Sequence, residues 1–276
     1  MSLLRGLPDQ IEVFFMGEKQ TGRKYALISA LSIFVFMSIW WLLTDVLKLT
    51  YPSTLPSPVS VIGTFIVKLY DPAPDGATMI QHMASSLRIT LTGYAMGLAV
   101  GIPLGILMAW YNTLDMFVRP LFDLLRPIPG IAWIPIMIML FGIGILSKAM
   151  VIFLTALIAC IVNSYSGIRQ TKQVHLWVGQ TFGASNFQLL IRVAIPTSLP
   201  MVLTGMRVAL GASWTALVAA ELLASTRGLG FMIQQCRGLF RPDVIIAGMI
   251  AIGMIGAFLT WLLGILEKAV LKGGRW

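Results

Sequence analysis

The charged side chains that lie within long apolar segments are the residues of this sequence best suited to chemistry. Arg207 and Glu221 belong to one such segment, and Arg88 lies near the end of another. If these segments cross a bilayer, their charges are costly and are expected to pair with each other or to line a path. For Arg207 we favour an ion pair or a carbonyl contact between helices over a solute contact. Arg88 and Glu221 are near enough to a segment end to extend to the membrane surface.

Uncharged polar residues accompany these charges. Ser213, Trp214 and Thr215 fall in the middle of the segment that contains Arg207, and Asn163 lies at the end of the preceding one. Together with Arg207 they are the candidate lining of a path through the membrane. A cation on such a path suits an anionic or zwitterionic solute, because opposite charges attract strongly where water is scarce.

Other kinds of chemistry lack the residues they need. Cys160 and Cys236 form no CxxC pair, and His82 and His175 are far apart, so we expect no metal site. A GxxxxGK[ST] phosphate-binding loop is also missing, and we expect no cofactor to be bound by this chain. The sequence shows no nucleophile with a matching base, which disfavours an enzyme. Any energy-driven process would therefore depend on a partner chain or on an ion gradient.

The composition indicates a membrane protein. Of the 276 residues, 57% are hydrophobic and 11% are charged, and the mean hydropathy is +0.85. Soluble domains carry roughly 25% charged residues. The net charge of +9 is explained by Lys and Arg in cytoplasmic loops rather than by a nucleic-acid partner. We therefore expect an all-α, polytopic membrane protein.

Six apolar segments approach the roughly 20 residues that a helix needs to cross a bilayer. They cover residues 25–47, 84–110, 131–145, 149–168, 201–223 and 244–264. The third is short and contains Pro135, and a short amphipathic helix is expected at 59–70. The first segment is expected to be a retained anchor rather than a cleaved signal. The distribution of Lys and Arg predicts two cytoplasmic termini, with a cytoplasmic segment at 1–24, a transmembrane domain at 25–264 and a tail at 265–276.

A ridge of small residues marks one face of the second segment. It consists of Gly93, Gly97, Gly101 and Gly105, which repeat every four residues. In a bilayer, such a ridge lets another helix approach closely. We favour packing within the subunit over a dimer interface, and Pro103 beside the ridge predicts a kink.

The segment 172–200 is too polar to span a membrane and too apolar to be a plain linker. Apolar residues recur at helical spacing on both sides of Gly183, which predicts two short amphipathic helices joined by a glycine turn. Ser185 or Asn186 caps the second helix, and Pro196 ends it. We call residues 172–200 the signature segment. Its periodicity alone fits a docking element for a soluble partner and a helix pair on the membrane surface equally well.

The signature segment resembles the cytoplasmic EAA signature of ATP-binding cassette importer permeases. Gly183 matches the invariant glycine of that signature, and Val193-Ala194-Ile195-Pro196 stands at the offset of its I-x-L-P motif. Trp177-Val178-Gly179 replaces the EAA triplet itself. Residues 125–144 (LRPIPGIAWIPIMIMLFGIG) and 218–235 (VAAELLASTRGLGFMIQQ) are similar to the taurine, sulfonate and nitrate branch, most of all to taurine permeases.

The resemblance implies a type I importer in the bacterial inner membrane. Two permease copies would form the path, two ATPase subunits would use ATP and Mg2+, and an extracytoplasmic protein would deliver the solute. Taurine or a related sulfonate is the favoured solute, with nitrate, bicarbonate or an aromatic carboxylate as alternatives. Coupling to the ATPase is expected at Gly179, Thr181, Phe182, Gly183, Ala184, Ser185, Phe187, Val193, Ile195 and Pro196.

Two questions stay open at this point, one about the class of transporter and one about the connection 225–242. An ion-coupled secondary transporter would require carboxylates inside the membrane, and Glu221 is the only acid inside or at the edge of a predicted span apart from the end of the first one. The connection 225–242 contains two glycines among apolar residues. It predicts either a gate element folded over the path or a helix on the surface.

Overall fold

The computed structural model describes residues 22–223 and 225–273, and every regular element in those ranges is helical. Residues 1–21 of the predicted N-terminal segment and 274–276 of the predicted tail lie outside the described ranges. The α-helices, in chain order, are α1 (Gly22–Trp41), α2 (Pro58–Lys68), α3 (Met79–Trp110), α4 (Asn112–Leu125), α5 (Ile134–Phe141), α6 (Ile145–Arg169), α7 (Gln173–Thr181), α8 (Asn186–Leu189), α9 (Ile195–Leu223), α10 (Leu229–Gly238) and α11 (Pro242–Gly273).

Five helical runs of the described residues are long and apolar enough to cross a membrane. They are Leu27–Val46, Met79–Trp110, Ile145–Arg169, Asn186–Leu223 and Pro242–Leu271. A sixth crossing results if Asn112–Leu125 and Gly130–Phe141, which meet at 87°, form one broken span. The expectation of an all-α polytopic protein is confirmed, and the number of spans agrees if the broken pair is counted as one.

Contacts divide the chain into two compact units, Met1–Ile62 and Gly63–Trp276. In the first unit, α1 continues as a π-helical turn over Leu42–Val46. The indole N–H of Trp40 donates to the carbonyl of Pro56 at 3.1 Å. This bond holds the Pro/Ser-rich connection against α1, and the predicted short helix follows as α2.

The second unit is organised around α3, α6 and α9. The four ridge glycines of α3 are buried and face α6. A Cβ on Gly101 would lie 2.8 Å from Cβ of Cys160, and one on Gly105 would lie 2.7 Å from the carbonyl oxygen of Ile161. Both distances are too short for real atoms, so the absence of side chains permits this helix contact. Packing within the subunit is confirmed for the ridge, and α3 passes Pro103 as one continuous helix.

The third span differs from the single short segment predicted at 131–145. The chain first forms α4, then breaks at Pro127 and Pro129, and resumes as a 3-10 turn over Gly130–Trp133 followed by α5. Proline lacks an N–H group and disfavours helical backbone in the residue before it, so two prolines in three residues interrupt the helix. Helix α4 escaped prediction because its charged residues lower the hydropathy of that stretch.

The fifth span begins earlier than predicted, and the expectation that Pro196 ends a helix is wrong. A π-helical turn over Leu190–Ala194 joins α8 to α9, so the helix runs from Asn186 to Leu223. Within this turn the N–H of Ile195 donates to the carbonyl of Leu190. Pro196 then falls in the first turn of α9, where a missing N–H is tolerated. The signature segment is therefore continuous with a membrane-crossing helix.

Candidate functional site

The turn of the signature segment is built by Gly183. Its φ of +75° belongs to the left-handed region, which glycine enters without steric cost. The N–H of Gly183 donates to the carbonyl of Gln180 at 2.9 Å, and the N–H of Ala184 donates to that of Gly179 at 3.0 Å. These two bonds form a Schellman motif, which satisfies the last carbonyl groups of α7.

A capping box starts the next helix immediately after the turn. The N–H of Gln188 donates to Oγ of Ser185 at 3.3 Å, and the N–H of Ser185 donates to Oε1 of Gln188 at 2.9 Å. Ser185, rather than Asn186, is therefore the cap. Gly179 leaves room for the side chain of Leu189, which packs where a Cβ would stand. The geometry of the turn is thus fixed by residues that are close in sequence.

One side of the signature segment is anchored in the bundle. Leu190 and Ala194 are buried against Ala109 of α3 and Ile168 of α6. Val193, Ile195 and Pro196 are half-buried beside them. The opposite side is exposed and carries Val174, Trp177, Val178, Phe182, Phe187 and Ile191.

Phe182 at the tip of the turn is 86% exposed, and the Thr181 hydroxyl beside it bonds only to the carbonyl of Trp177 in its own helix. The segment thus presents an apolar face supported by a rigid base. We call this end of the second unit the signature end.

The five candidate path residues do not form one cluster. Arg207 makes an ion pair with Glu267 of α11, as the favoured interpretation predicted. Trp214 is buried and donates from its indole N–H to the carbonyl of Ile252 at 3.2 Å, whereas Thr215 is exposed. Asn163 donates to the carbonyl of Ala159 in its own helix at 2.8 Å.

Helix α9 therefore has two polar faces. Ser213 is fully buried on the inner one, and its hydroxyl has no hydrogen-bond partner. An exposed stripe on the outer face contains Thr204, Arg207, Gly211 and Thr215 at helical spacing. Glu267 belongs to the described part of α11, which continues past the predicted end of the sixth span at 264. The expectation that Glu221 is the only acid of the spans apart from the end of the first is therefore wrong, because Glu267 lies on a membrane-crossing helix as well.

Glu221 does not extend to the membrane surface, so that prediction is wrong. Its side chain is buried, with 1% of the residue exposed. The Ser86 hydroxyl lies 2.8 and 2.9 Å from the two carboxylate oxygens, and the N–H of Gly230 donates to one of them at 2.9 Å. Burial of a carboxylate is tolerable when such donors replace water. Arg88, in contrast, is exposed on α3.

The same residues cap the N-terminus of α10. The N–H of Gly228 donates to Nδ1 of His82 at 3.1 Å, and that of Leu229 donates to Oγ of Ser86 at 2.9 Å. With the Gly230 bond to Glu221, three successive backbone donors of α10 are bound by side chains of α3 and α9. We call His82, Ser86 and Glu221 the α10 cap, and the end of the unit that contains it the α10 end.

A second polar layer supports His82. Its Nε2 lies 2.7 Å from Oδ2 of Asp75, and Asp75 also forms an ion pair with Lys68. The Lys68 ammonium group donates to the carbonyls of Ala73 and Ala77, both at 2.8 Å. Lys68, Asp75 and His82 are all buried. The layer orients the imidazole that meets the α10 backbone.

Helix α10 itself is packed into the bundle. Leu229, Met232 and Cys236 are almost completely buried, and a Cβ on Gly248 of α11 would come 2.7 Å from Cε of Met232. These contacts exclude the alternative of a helix lying on the surface at 225–242. Sequence reasoning missed the α10 cap because Ser86 and His82 are 135 to 146 residues away from the groups they bind. The only local signal is the acid at 221 shortly before Gly-Leu-Gly.

No group of three or more His, Cys, Asp or Glu within the described residues is arranged to hold a metal ion. The residues described above shape a surface segment and join helices to one another. A membrane-crossing helix, α9, begins in an exposed glycine-turned segment at one end and binds a buried short helix at the other. This architecture defines a polytopic membrane protein in which a surface segment is joined directly to a span.

Comparison with known proteins identifies the family. Residues 101–272 match the binding-protein-dependent transport system inner membrane components, and the chain belongs to this family. It is the permease subunit of an ATP-binding cassette importer, a transport component rather than an enzyme.

Several relatives match this chain along most of their length. The taurine transport system permease protein of Escherichia coli (strain K12) is 37% identical, over 85% of each chain. The nitrate import permease protein of Leptolyngbya laminosa is 30% identical, over 88% of this chain and 87% of its own.

Among solved structures, the MetNI methionine ABC transporter in inward-facing conformations aligns with a TM-score of 0.62. The alignment covers 70% of this chain and 95% of that one, at 16% identity. This similarity supports the fold.

Proposed function

We propose that this permease imports a small anionic or zwitterionic solute, with taurine or a related sulfonate favoured, and that its signature segment docks to a separate ATPase. The observation that carries the proposal is the exposed apolar face of the signature segment, which is anchored to the bundle and continuous with α9. An exposed cluster of large apolar and aromatic side chains is typical of a protein–protein contact. In this arrangement the turn at Gly183 is the coupling element.

The proposed assembly contains two copies of the permease, two ATPase subunits that use ATP and Mg2+, and an extracytoplasmic binding protein. Both termini and the signature end lie on the cytoplasmic side of the inner membrane, in agreement with the excess of basic residues in those loops. Closure of the ATPases displaces the signature segment. Because the helix from Asn186 to Leu223 is unbroken, the displacement reaches the opposite end of α9.

The solute path is proposed to follow the exposed polar stripe of α9. Its side chains are polar or absent, and Arg207 provides the positive charge. The pair with Glu267 keeps this cation neutralised in the described conformation. An anionic group of the solute would compete with Glu267 for Arg207, because the solute and the Glu267 carboxylate are both oxyanions that bind the same guanidinium.

The choice of solute is supported by the names of the relatives. Those relatives are permeases for taurine, aliphatic sulfonates and nitrate, all of which carry an anionic oxygen group. Bicarbonate and aromatic carboxylates share that chemistry and remain alternatives. A binding protein contributes to the selection of the solute, so the path residues need only admit solutes of the right charge.

The test is solute uptake by proteoliposomes that contain the permease, its ATPase and its binding protein. We expect uptake of radiolabelled taurine that requires ATP and Mg2+, with nitrate and bicarbonate as competing solutes. Gly183→Trp should abolish coupling while the protein still inserts into the membrane. Uptake driven by a sodium or proton gradient without ATP would overturn the proposal in favour of a secondary transporter.

A further inference from the structure

The α10 cap connects three helices through backbone donors that a helix cannot satisfy itself. The first N–H groups of any α-helix have no partner within the helix. In α10 they are bound by His82 and Ser86 of α3 and by Glu221 of α9. A helix N-terminus also carries partial positive charge, which favours the carboxylate of Glu221. The position of α10 is therefore fixed by residues of two crossing helices.

The glycines of the connection show how tightly this contact is made. A Cβ on Gly228 would overlap the Glu221 carboxylate, and one on Gly230 would lie 2.7 Å from Cβ of Glu221 and from the carbonyl oxygen of Val218. Gly228 also has a φ of +134°, which other residues rarely adopt. At the start of α10, Gly230 thus rests on the backbone of α9, and Gly228 rests on the Glu221 carboxylate.

Glu221 lies near the C-terminal end of the same helix that begins in the signature segment. The run from Asn186 to Leu223 is one continuous helix that includes the π-helical turn and Pro200, so its two ends move together unless the helix bends at these points. At the far end, α10 packs on α11 through Met232 and Gly248. A shift of α9 must either carry α10 and the neighbouring part of α3 with it, or break the Gly230–Glu221 bond and the contacts between Ser86 and Glu221.

We infer that His82, Ser86 and Glu221 are positioning residues that hold α3, α9 and α10 together, so that a displacement of the signature segment, transmitted by α9, moves α10 and opens or closes the α10 end. The inference rests on the proposed function, because it takes its driving force from the ATPase. It assigns α10 to the moving part of the permease rather than to its static frame. Movement of α10 within the bundle would change the exposure of residues on it that are now buried, among them Cys236.

Cys236 offers a native probe of this movement, since it lies on α10 and is completely buried. In a Cys160→Ser permease it is the only thiol. The experiment measures its alkylation by a small maleimide in the full complex, with and without ATP and vanadate, by mass spectrometry of the Cys236 peptide. Coupled uptake per ATP hydrolysed is measured on the same preparations.

In the parent complex we expect slow alkylation without nucleotide and severalfold faster alkylation in the trapped state. Glu221→Ala should make alkylation fast in both states and lower uptake per ATP, while ATP hydrolysis continues. Glu221→Gln, which keeps one oxygen to accept the Gly230 bond, should fall between the two. Thr226→Ala is the matched control, because its exposed side chain belongs to the same connection and should behave as the parent does.

Ser86→Ala gives an independent variant if Glu221→Ala fails to assemble, and it should also abolish the nucleotide dependence. The inference is overturned if parent Cys236 reacts equally fast in both states, or if assembled Glu221→Ala or Ser86→Ala keeps the parental response. These outcomes test only the movement of α10 and leave the proposed transport function untouched. Failure of the parent complex to take up any of the anionic solutes with ATP would instead refute the proposed function.

Discussion

Two glycines with positive φ lie near the two ends of the helix that runs from Asn186 to Leu223 in the second unit, and their surroundings differ completely. Gly183 at the signature end has no heavy atom beyond its chain neighbours within 4 Å of the position of a Cβ. Gly228 at the α10 end has the carboxylate of Glu221 in that position. The same backbone freedom therefore serves two purposes. At one end it shapes a surface, and at the other it allows a buried contact.

The helices that follow these glycines repeat the contrast. Helix α8 is capped by Ser185 and Gln188, which belong to the same turn. Helix α10 is capped by residues of α3 and α9. A locally capped segment keeps its shape when it moves against a partner, whereas a remotely capped one depends on its neighbours. The signature end is thus suited to docking, and the α10 end to following the spans.

The largest effect is expected from Gly228→Ala at the α10 end. The new Cβ would displace the Glu221 carboxylate from its donors and would also hold an alanine at an unfavourable φ. A buried polar group left without hydrogen-bond partners costs about 1–3 kcal/mol, and more when it is charged, and an unfavourable backbone conformation costs about 1–3 kcal/mol in addition. We expect a severe loss of folded protein, measured by thermal unfolding in detergent and by gel filtration.

Gly183→Ala is the matched control for that substitution. It has open space around the new methyl group, and a left-handed alanine costs about 1–2 kcal/mol. The unfolding temperature should fall only slightly. Equal destabilisation by the two alanines would contradict the distinction between a surface glycine and a buried one.

The next largest effect is expected from Leu190→Ala, which removes the anchor of the signature segment. Leu190 is 3% exposed and packs against α3 and α6, and such a truncation costs about 2–5 kcal/mol. We expect lower thermal stability and increased proteolysis of the segment, measured on the purified permease. The neighbouring Ile191→Ala, at a residue 46% exposed, should lower stability much less. The opposite order would mean that the segment is anchored by its other face.

Most of the signature end can be predicted from the sequence, because its determinants are local. Gly183, Ser185 and the apolar spacing around them lie within one stretch of chain, and hydropathy alone locates the spans. The same local logic fails at Pro196, where a π-helical turn brings the proline into a helix start. Helix α4 is not predicted, because the charged residues of this amphipathic helix lower the mean hydropathy of the stretch.

The contacts at the α10 end cannot be predicted from local sequence patterns. Glu221 and Ser86 are separated by 135 residues, and neither shows which partner it will meet. An acid near the end of an apolar segment is normally explained by access to water. Only the fold shows that hydrogen-bond donors from α3 and α10 replace that water. The position of a buried polar group thus depends on tertiary packing, which a short stretch of sequence does not show.

A smaller effect is expected from Ser185→Ala, which removes the local cap of α8. Loss of an N-cap hydroxyl costs about 1 kcal/mol, and the cost should remain within the segment because the cap touches nothing else. Hydrogen exchange of the 186–190 amides should accelerate while the unfolding temperature of the whole protein stays nearly constant. Thr181→Ala, which removes a hydroxyl bonded only within its own helix, should change neither. A large drop in overall stability would show that α8 is part of the core.

The smallest effect on stability, and the sharpest on function, is expected from Phe182→Ala. Phe182 is 86% exposed, so its truncation should change the free energy of unfolding by less than about 0.5 kcal/mol. An aromatic side chain at the centre of a contact contributes about 2 kcal/mol or more to binding, so the affinity for the ATPase should fall by about 30-fold or more. Phe240→Ala is the matched control at the α10 end, because Phe240 is 82% exposed and should not touch the ATPase. Titration of each purified permease with the ATPase measures both affinities. If Phe240→Ala weakens binding and Phe182→Ala does not, the ATPase docks at the α10 end, and the roles assigned to the two ends must be exchanged.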